Sequence, residues 1–141
     1  MLEAVAPALP ISCASKELAI LTGHTILVVE EEPLIALDLR AALEEAGAVV
    51  TTTREADDTL EKIRSIKFSA AVVDWRPHSD NHRRIARALK RADVPFLFHA
   101  TQPLEDVTTM RGVAIFMKPA RPAHIVKALT LLSRDNGASG G

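Results

Sequence analysis

Ala70-Ala71-Val72-Val73-Asp74 lies near the middle of the chain. Four small or β-branched apolar residues run into a carboxylate, and Trp75-Arg76-Pro77-His78-Ser79-Asp80 follows. An apolar run this short and unbroken reads as a strand covered on both faces, the pattern of a parallel sheet. Pro77, Ser79 and Asp80 then end it in a loop. Asp74 is thereby expected at the carboxyl end of a central strand, where open α/β sheets bind ligands. Taken alone, the run fits equally well an Asp that only ends the strand and faces water.

Two further stretches shift that balance. Thr25-Ile26-Leu27-Val28-Val29-Glu30-Glu31-Glu32-Pro33 is an apolar run ending in three carboxylates, and Val113-Ala114-Ile115-Phe116-Met117-Lys118-Pro119 is one ending in lysine and proline. If all three strands lie parallel in one sheet, Glu30, Glu31, Asp74 and Lys118 surround one pocket. Crowded carboxylates repel unless a cation sits among them, and a hard divalent ion such as Mg²⁺ suits oxygen ligands. An ammonium beside it would hold an anion, so the set is suited to receiving a phosphoryl group.

With these pieces in order, the chain resembles the receiver domain of bacterial two-component response regulators. The matching stretches are ILVVEEEPLIALDLRAALEEAG, AAVVDW, VPFLF and FMKP, and the likeness spans about residues 23–134. The resemblance implies an α/β, flavodoxin-like (βα)5 three-layer sandwich with a parallel five-stranded sheet of order 2-1-3-4-5. It implies Asp74 as phosphoacceptor, Lys118 as the phosphate contact and Thr101 as a candidate hydroxyl contact. It further implies Mg²⁺ held by Glu30, Glu31, Asp74 and the backbone carbonyl of Arg76. The phosphoryl donor would be a histidine kinase or a histidine phosphotransfer protein, and the output partner is not identified.

Composition sets bounds on this. A chain of 141 residues fits one domain and one core. The net charge of −1 argues against a broad nucleic-acid surface. The local cluster Arg83-Arg84, Arg87, Lys90-Arg91 reads as a solvated helix face. The single cysteine, Cys13, excludes an intrachain disulfide. A cytoplasmic setting is expected, with no signal peptide, no membrane span and no nucleic-acid partner.

In chain order, residues 1–22 read as a flexible leader with a short helix over 16–21. Strand one covers 25–30, Pro33 opens the first helix, and Gly47 caps its end. Strand two covers about 48–52, and Thr53 is the candidate N-cap of the second helix. Strand three covers 69–74. Asp80 or Asn81 caps the third helix, whose inner stripe is Ile85, Leu89 and Ala92. Strand four covers 94–99, a short fourth helix 104–110, and strand five 113–117. Arg121-Pro122 opens the fifth helix, and 135–141 reads as a disordered Gly-rich tail.

Several positions depart from the receiver pattern. Glu31 stands where Asp is usual, and its extra methylene should weaken Mg²⁺ binding, since that ion wants ligands at about 2.0–2.1 Å. Ala100 stands where a Thr or Ser is expected, with Thr101 one place later. Ile115 replaces an aromatic, and His82 replaces a glycine. Ala100 and Ile115 leave the usual switching pair altered, so coupling from Asp74 to strand five should be weak. The Lys118–Pro119 bond is expected to be cis, as is common in the family.

Other residues have plain alternatives beside functional ones. Trp75 is expected half-buried in packing, and His99 as a hydrogen-bonded histidine at the strand edge. His78 and His82 with Asp74 only weakly suggest a transition-metal site. Leu34, Leu37 and Ala41 form a second apolar stripe on the first helix, suited to a helical phosphotransfer partner. His124, Ala128 and Leu131 suggest a weak homodimer through the last helix. The expected function is a stand-alone receiver that is not an enzyme. The alternative is a pseudo-receiver that binds proteins without phosphorylation. A metal-dependent hydrolase is the weakest reading, because no motif places a second nucleophile or general acid.

Overall fold

Strands of three to six residues form one parallel sheet in this computed structural model, which describes residues 19–76, 79–101 and 113–140. The strands are β1 (Thr25–Val29), β2 (Val49–Thr53), β3 (Ala70–Trp75), β4 (Phe96–Ala100) and β5 (Ile115–Met117). Their order is β2-β1-β3-β4-β5, every pair parallel. The described helices are α1 (Pro33–Glu45), α2 (Ala56–Ser65), α3 (Asn81–Arg91) and α4 (Pro122–Gly140), preceded by a 3₁₀ turn at Ala19–Leu21. This is the doubly wound order expected from the sequence. None of the described helices is long and apolar enough to cross a membrane.

Side chains on a strand alternate between faces, so each continuous apolar run feeds two cores. Leu27, Val29, Ala71, Val73, Phe96 and Phe98 pack under Ala56 and Ile63 of α2 and Ile85, Ala86 and Leu89 of α3. Ile26, Val28, Ala70, Val72 and Leu97 pack under Leu39 and Leu43 of α1 and Ile125, Val126 and Leu129 of α4. Each fully buried Leu or Ile among them contributes about 1.5–3 kcal/mol. The turn before β1 belongs to the second core. Leu21 is fully buried, and its N–H donates to the Ala46 carbonyl at 2.7 Å. Gly47 ends α1 at φ +97°, and a Cβ there would run into Thr22. Its N–H reaches Glu44 and that of Ala48 reaches Leu43, which closes the helix in a Schellman turn.

Local readings needed correction. Glu55, not Thr53, stands at the N-cap of α2. Thr53 ends β2 instead, buried, with its hydroxyl 2.7 Å from that of Thr59. Asp80 does occupy the N-cap of α3 but makes no side-chain cap bond, and Ser79 Oγ accepts the Asn81 N–H at 3.2 Å. Ala92 is exposed, and Ala86 takes its place on the inner stripe. The His99 ring makes no hydrogen bond among the described residues, as set out below. α4 continues through Gly140, across the stretch whose composition suggests a tail. Once buried Ile125, Val126 and Leu129 have nucleated a helix, each further turn is cheap. The expected fourth helix, the leader through residue 18, and His78 lie outside the described residues.

Candidate functional site

The carboxyl ends of β1, β3, β4 and β5 place the chemistry. Val29 pairs with Val73, so Glu30 follows level with Asp74. Asp74 pairs with His99, and His99 with Phe116. Val28, Val72 and Leu97 lie one step below in the core under α1 and α4. The alternation therefore sets Glu30, Asp74, His99 and Phe116 in one row on that face. Lys118 follows two residues after Phe116. Its N–H donates to the Ala100 carbonyl at 2.6 Å, and the bond to Pro119 is cis, as expected.

Two cations hold the carboxylates together. Lys118 Nζ donates to Asp74 Oδ1 at 2.9 Å and lies 2.9 Å from Glu30 Oε1. Arg76 Nε donates to Asp74 Oδ2 at 3.0 Å and lies 2.9 Å from Glu31 Oε2. The Asp74 side chain is only 5 % exposed and Glu30 only 1 %, whereas Glu31 is 56 % exposed. Glu30 Oε2 also accepts the Glu32 N–H at 3.0 Å. Burial pushes the Glu30 carboxyl above its ordinary pKa, against the pull of Lys118 and the Glu32 N–H. Burial works against the Arg76 guanidinium, but the charges of Asp74, Glu31 and Glu30 keep its pKa above the ordinary value.

His99 sits beneath this network. Its Nδ1 lies 3.8 Å from Glu30 Oε1, too far for a hydrogen bond, and neither ring nitrogen has a partner among the described residues. Burial and the Lys118 charge lower its pKa to about 4, so it is neutral at pH 7. Thr101 lies one residue past β4 and is exposed, while Ala100, the position expected to carry a hydroxyl, is fully buried. Thr101 takes no part in the network of Asp74 and Lys118 as it is placed here.

On the opposite face the same strand ends carry rings. Trp75, half-buried as expected, stacks on His82 with centroids 3.6 Å apart and meets the edge of Phe98 at 4.8 Å. His82 is buried with both ring nitrogens unpartnered among the described residues. Burial and Arg83 lower its pKa. A small cavity of about 60 Å³ opens between the faces, lined by Asp74, Arg76, Glu31, Ser79, Asn81 and His82 among others.

The magnesium expectation meets an occupied pocket. Arg76 and Lys118 already engage the oxygens that an ion would take. Among the described residues, no three His, Cys, Asp or Glu side chains stand ready to hold a metal ion. As arranged, the donor set does not fit a resident ion. The sequence reading assigned Arg76 only its carbonyl and missed its side chain. The signal was present: residues 74 and 76 share one side of an extended chain, so a cation at 76 falls beside Asp74.

Outside the pocket, Leu34 and Leu37 on α1 are 72 % and 61 % exposed, and Ala41 is exposed beside them. On α4, His124 and Leu131 are exposed and Ala128 is half-buried.

No protein-family model matches the chain. It is 30% identical over 118 residues to the phyllosphere-induced regulator PhyR of Methylorubrum extorquens, a match covering 79% of this chain. The match spans 44% of the length of that relative. Among solved structures, the response regulator PhyR from Brucella abortus is 26% identical with a TM-score of 0.71, covering 92% of this chain and 55% of that one. A response regulator receiver protein from Sinorhizobium medicae gives a TM-score of 0.73 at 22% identity, covering 80% of this chain and 96% of its own. The receiver domain of a sensor histidine kinase from Pseudomonas aeruginosa, described with magnesium coordinated in its active-site cleft, gives 0.66 at 22% identity and covers 80% and 99%. The chain thus has the fold of response-regulator receiver domains, and by sequence it is similar to the regulator PhyR.

Proposed function

We propose that this receiver accepts a phosphoryl group on Asp74 from the phosphohistidine of a histidine kinase or histidine phosphotransfer protein, and signals by protein contact. The observation that carries the reading is the buried Asp74 carboxylate with a cation on each oxygen. An Asp74 oxygen attacks phosphorus, the phosphorus–nitrogen bond breaks, and its electron pair leaves with the imidazole, which takes up a proton. The phosphoryl oxygens then need positive charge, and Lys118 and Arg76 supply it without reorganisation from water. Arg76 is 43 % exposed against 10 % for Lys118, so Oδ2 is the oxygen a donor meets.

The Leu34, Leu37 and Ala41 stripe beside the pocket fits the apolar face of a helical phosphotransfer partner. Mg²⁺ belongs to this reading only as a weak ligand of Glu30, Glu31, Asp74 and the Arg76 carbonyl. The module is not itself an enzyme, and it pairs weakly with a second copy through the exposed side of α4. Its setting is the cytoplasm.

A pseudo-receiver is the second reading. Buried Ala100 and half-buried Ile115 favour it, since neither can serve as the hydroxyl or swinging ring that reports a phosphate. Incubation with phosphoramidate, followed by intact mass, separates the two. The receiver reading expects one added phosphoryl group in the wild type and none in Asp74→Asn. An unmodified wild type leaves the binding module.

A further inference from the structure

We propose that Arg76 is a built-in substitute for a divalent cation, so that the Asp74 pocket works without metal. Its guanidinium nitrogen stands 2.9 Å from Glu31 and 3.0 Å from Asp74, bridging the two carboxylates that a metal ion would otherwise bridge. Lys118 bridges the other pair, Glu30 and Asp74. Every carboxylate in the cluster therefore has a cation from the chain, and Asp74 has two. Crowding of acids, which would draw in a divalent ion, is already relieved.

The chemistry of the two cations points the same way. A guanidinium is weakly hydrated and its planar fork suits carboxylates, whereas Mg²⁺ gives up its water reluctantly. An ion entering here must shed water and also displace Arg76 from both partners. Glu31 fits this arrangement. A side chain one methylene longer than Asp is poorly matched to a small octahedral ion, but it reaches a guanidinium at the exposed rim of the pocket. The bridge is also asymmetric: the Asp74 end is 5 % exposed and the Glu31 end 56 %. Exposed ion pairs are worth little, so the Glu31 contact is the one that can open. Arg76 can then turn onto a phosphoryl oxygen while staying beside Asp74.

The second arm of the test rests on Asp74 as phosphoacceptor, and the first does not. In the first, Mg²⁺ and Mn²⁺ are titrated into wild type, Arg76→Ala, Arg76→Gln and Arg76→Lys. Emission from Trp75, the chain's single tryptophan and the neighbour of Asp74, reports binding, with calorimetry beside it. The neutral variants are expected to bind at least about tenfold more tightly than wild type, or about 1.4 kcal/mol. Arg76→Lys keeps the charge and is expected to stay near wild type, which separates lost charge from lost structure. Equal or weaker binding by both neutral variants would overturn the proposal. In the second arm, wild type is expected to take up phosphoryl from phosphoramidate as fast in EDTA as in Mg²⁺, while Arg76→Gln depends on Mg²⁺. A wild type that needs Mg²⁺ overturns the proposal. A wild type labelled under neither condition removes the acceptor reading, and the titration alone then decides the role of Arg76.

Discussion

Asp74 and Trp75 are neighbours in sequence, yet they belong to opposite worlds at the edge of the sheet. On the face of α1 and α4, Asp74 joins Glu30, Lys118 and Arg76 in a network where each charge has a partner. On the face of α2 and α3, Trp75 joins His82, Phe98 and Phe96 in a cluster of rings. The strand period of two makes this separation, and a slip of one residue would exchange the two sets. The charged face depends on complete pairing, because a buried charge left alone is costly. The ring face depends on packing, and tolerates in His82 a buried imidazole with no hydrogen-bond partner among the described residues.

Removing a partner from the charged face should cost most. Lys118→Met leaves Glu30 buried without its ammonium, and we expect a loss of about 3–5 kcal/mol at pH 7 in urea unfolding. The deficit should shrink on acidification. Burial raises the Glu30 pKa above the ordinary 4.5, so the folded state takes up a proton before the unfolded chain does. That contribution is complete below 4.5 and is lost as pH rises through the folded value. A deficit independent of pH would show that Glu30 is not the charge being left.

The two histidines test whether either face accepts charge. His99 falls to about 4 in the folded protein from an ordinary 6.5. As pH drops below 6.5 the unfolded chain binds the proton first, so stability falls by up to about 1.4 kcal/mol per unit until about pH 4. Nothing is lost above 6.5 on this account. His99→Leu should flatten much of the slope. His82, also lowered, contributes with the same sign. A slope unchanged in His99→Leu would mean that the charged face stabilises the imidazolium after all.

His82→Phe should be a smaller change, from neutral to about 1 kcal/mol stabilising, because it keeps the stack on Trp75 and removes two nitrogens unpaired among the described residues. A clear loss would reveal a hydrogen bond at His82. Leu34→Ser with Leu37→Ser should leave stability within about 0.5 kcal/mol, as for exposed sites. The same pair should slow phosphotransfer from a partner protein while leaving phosphoramidate labelling intact.

The parallel sheet was legible because short apolar runs alternate with helical periods, and its order because the chain resembles a receiver; the single core expected from chain length is divided by the sheet into two. Glu30, Asp74 and Lys118 were legible as strand-end residues. What escaped depended on how far side chains reach. Thr53 resembles a cap in sequence, but its hydroxyl turns inward to Thr59. His82 stands in a basic run, which reads as surface, yet it lies on the inner stripe of α3. Arg76 sits in what reads as a loop, and only the extended backbone at the end of β3 brings its guanidinium back over Asp74.

An acyl phosphate on Asp74 would leave a chemical record. Borohydride reduces it to an alcohol, so a phosphorylated Asp becomes homoserine. After phosphoramidate treatment and borohydride reduction, tandem mass spectrometry should find homoserine at position 74 and at no other acid, with none in Asp74→Asn. Reduction at Glu30 or Glu31, or at no residue, would contradict the account.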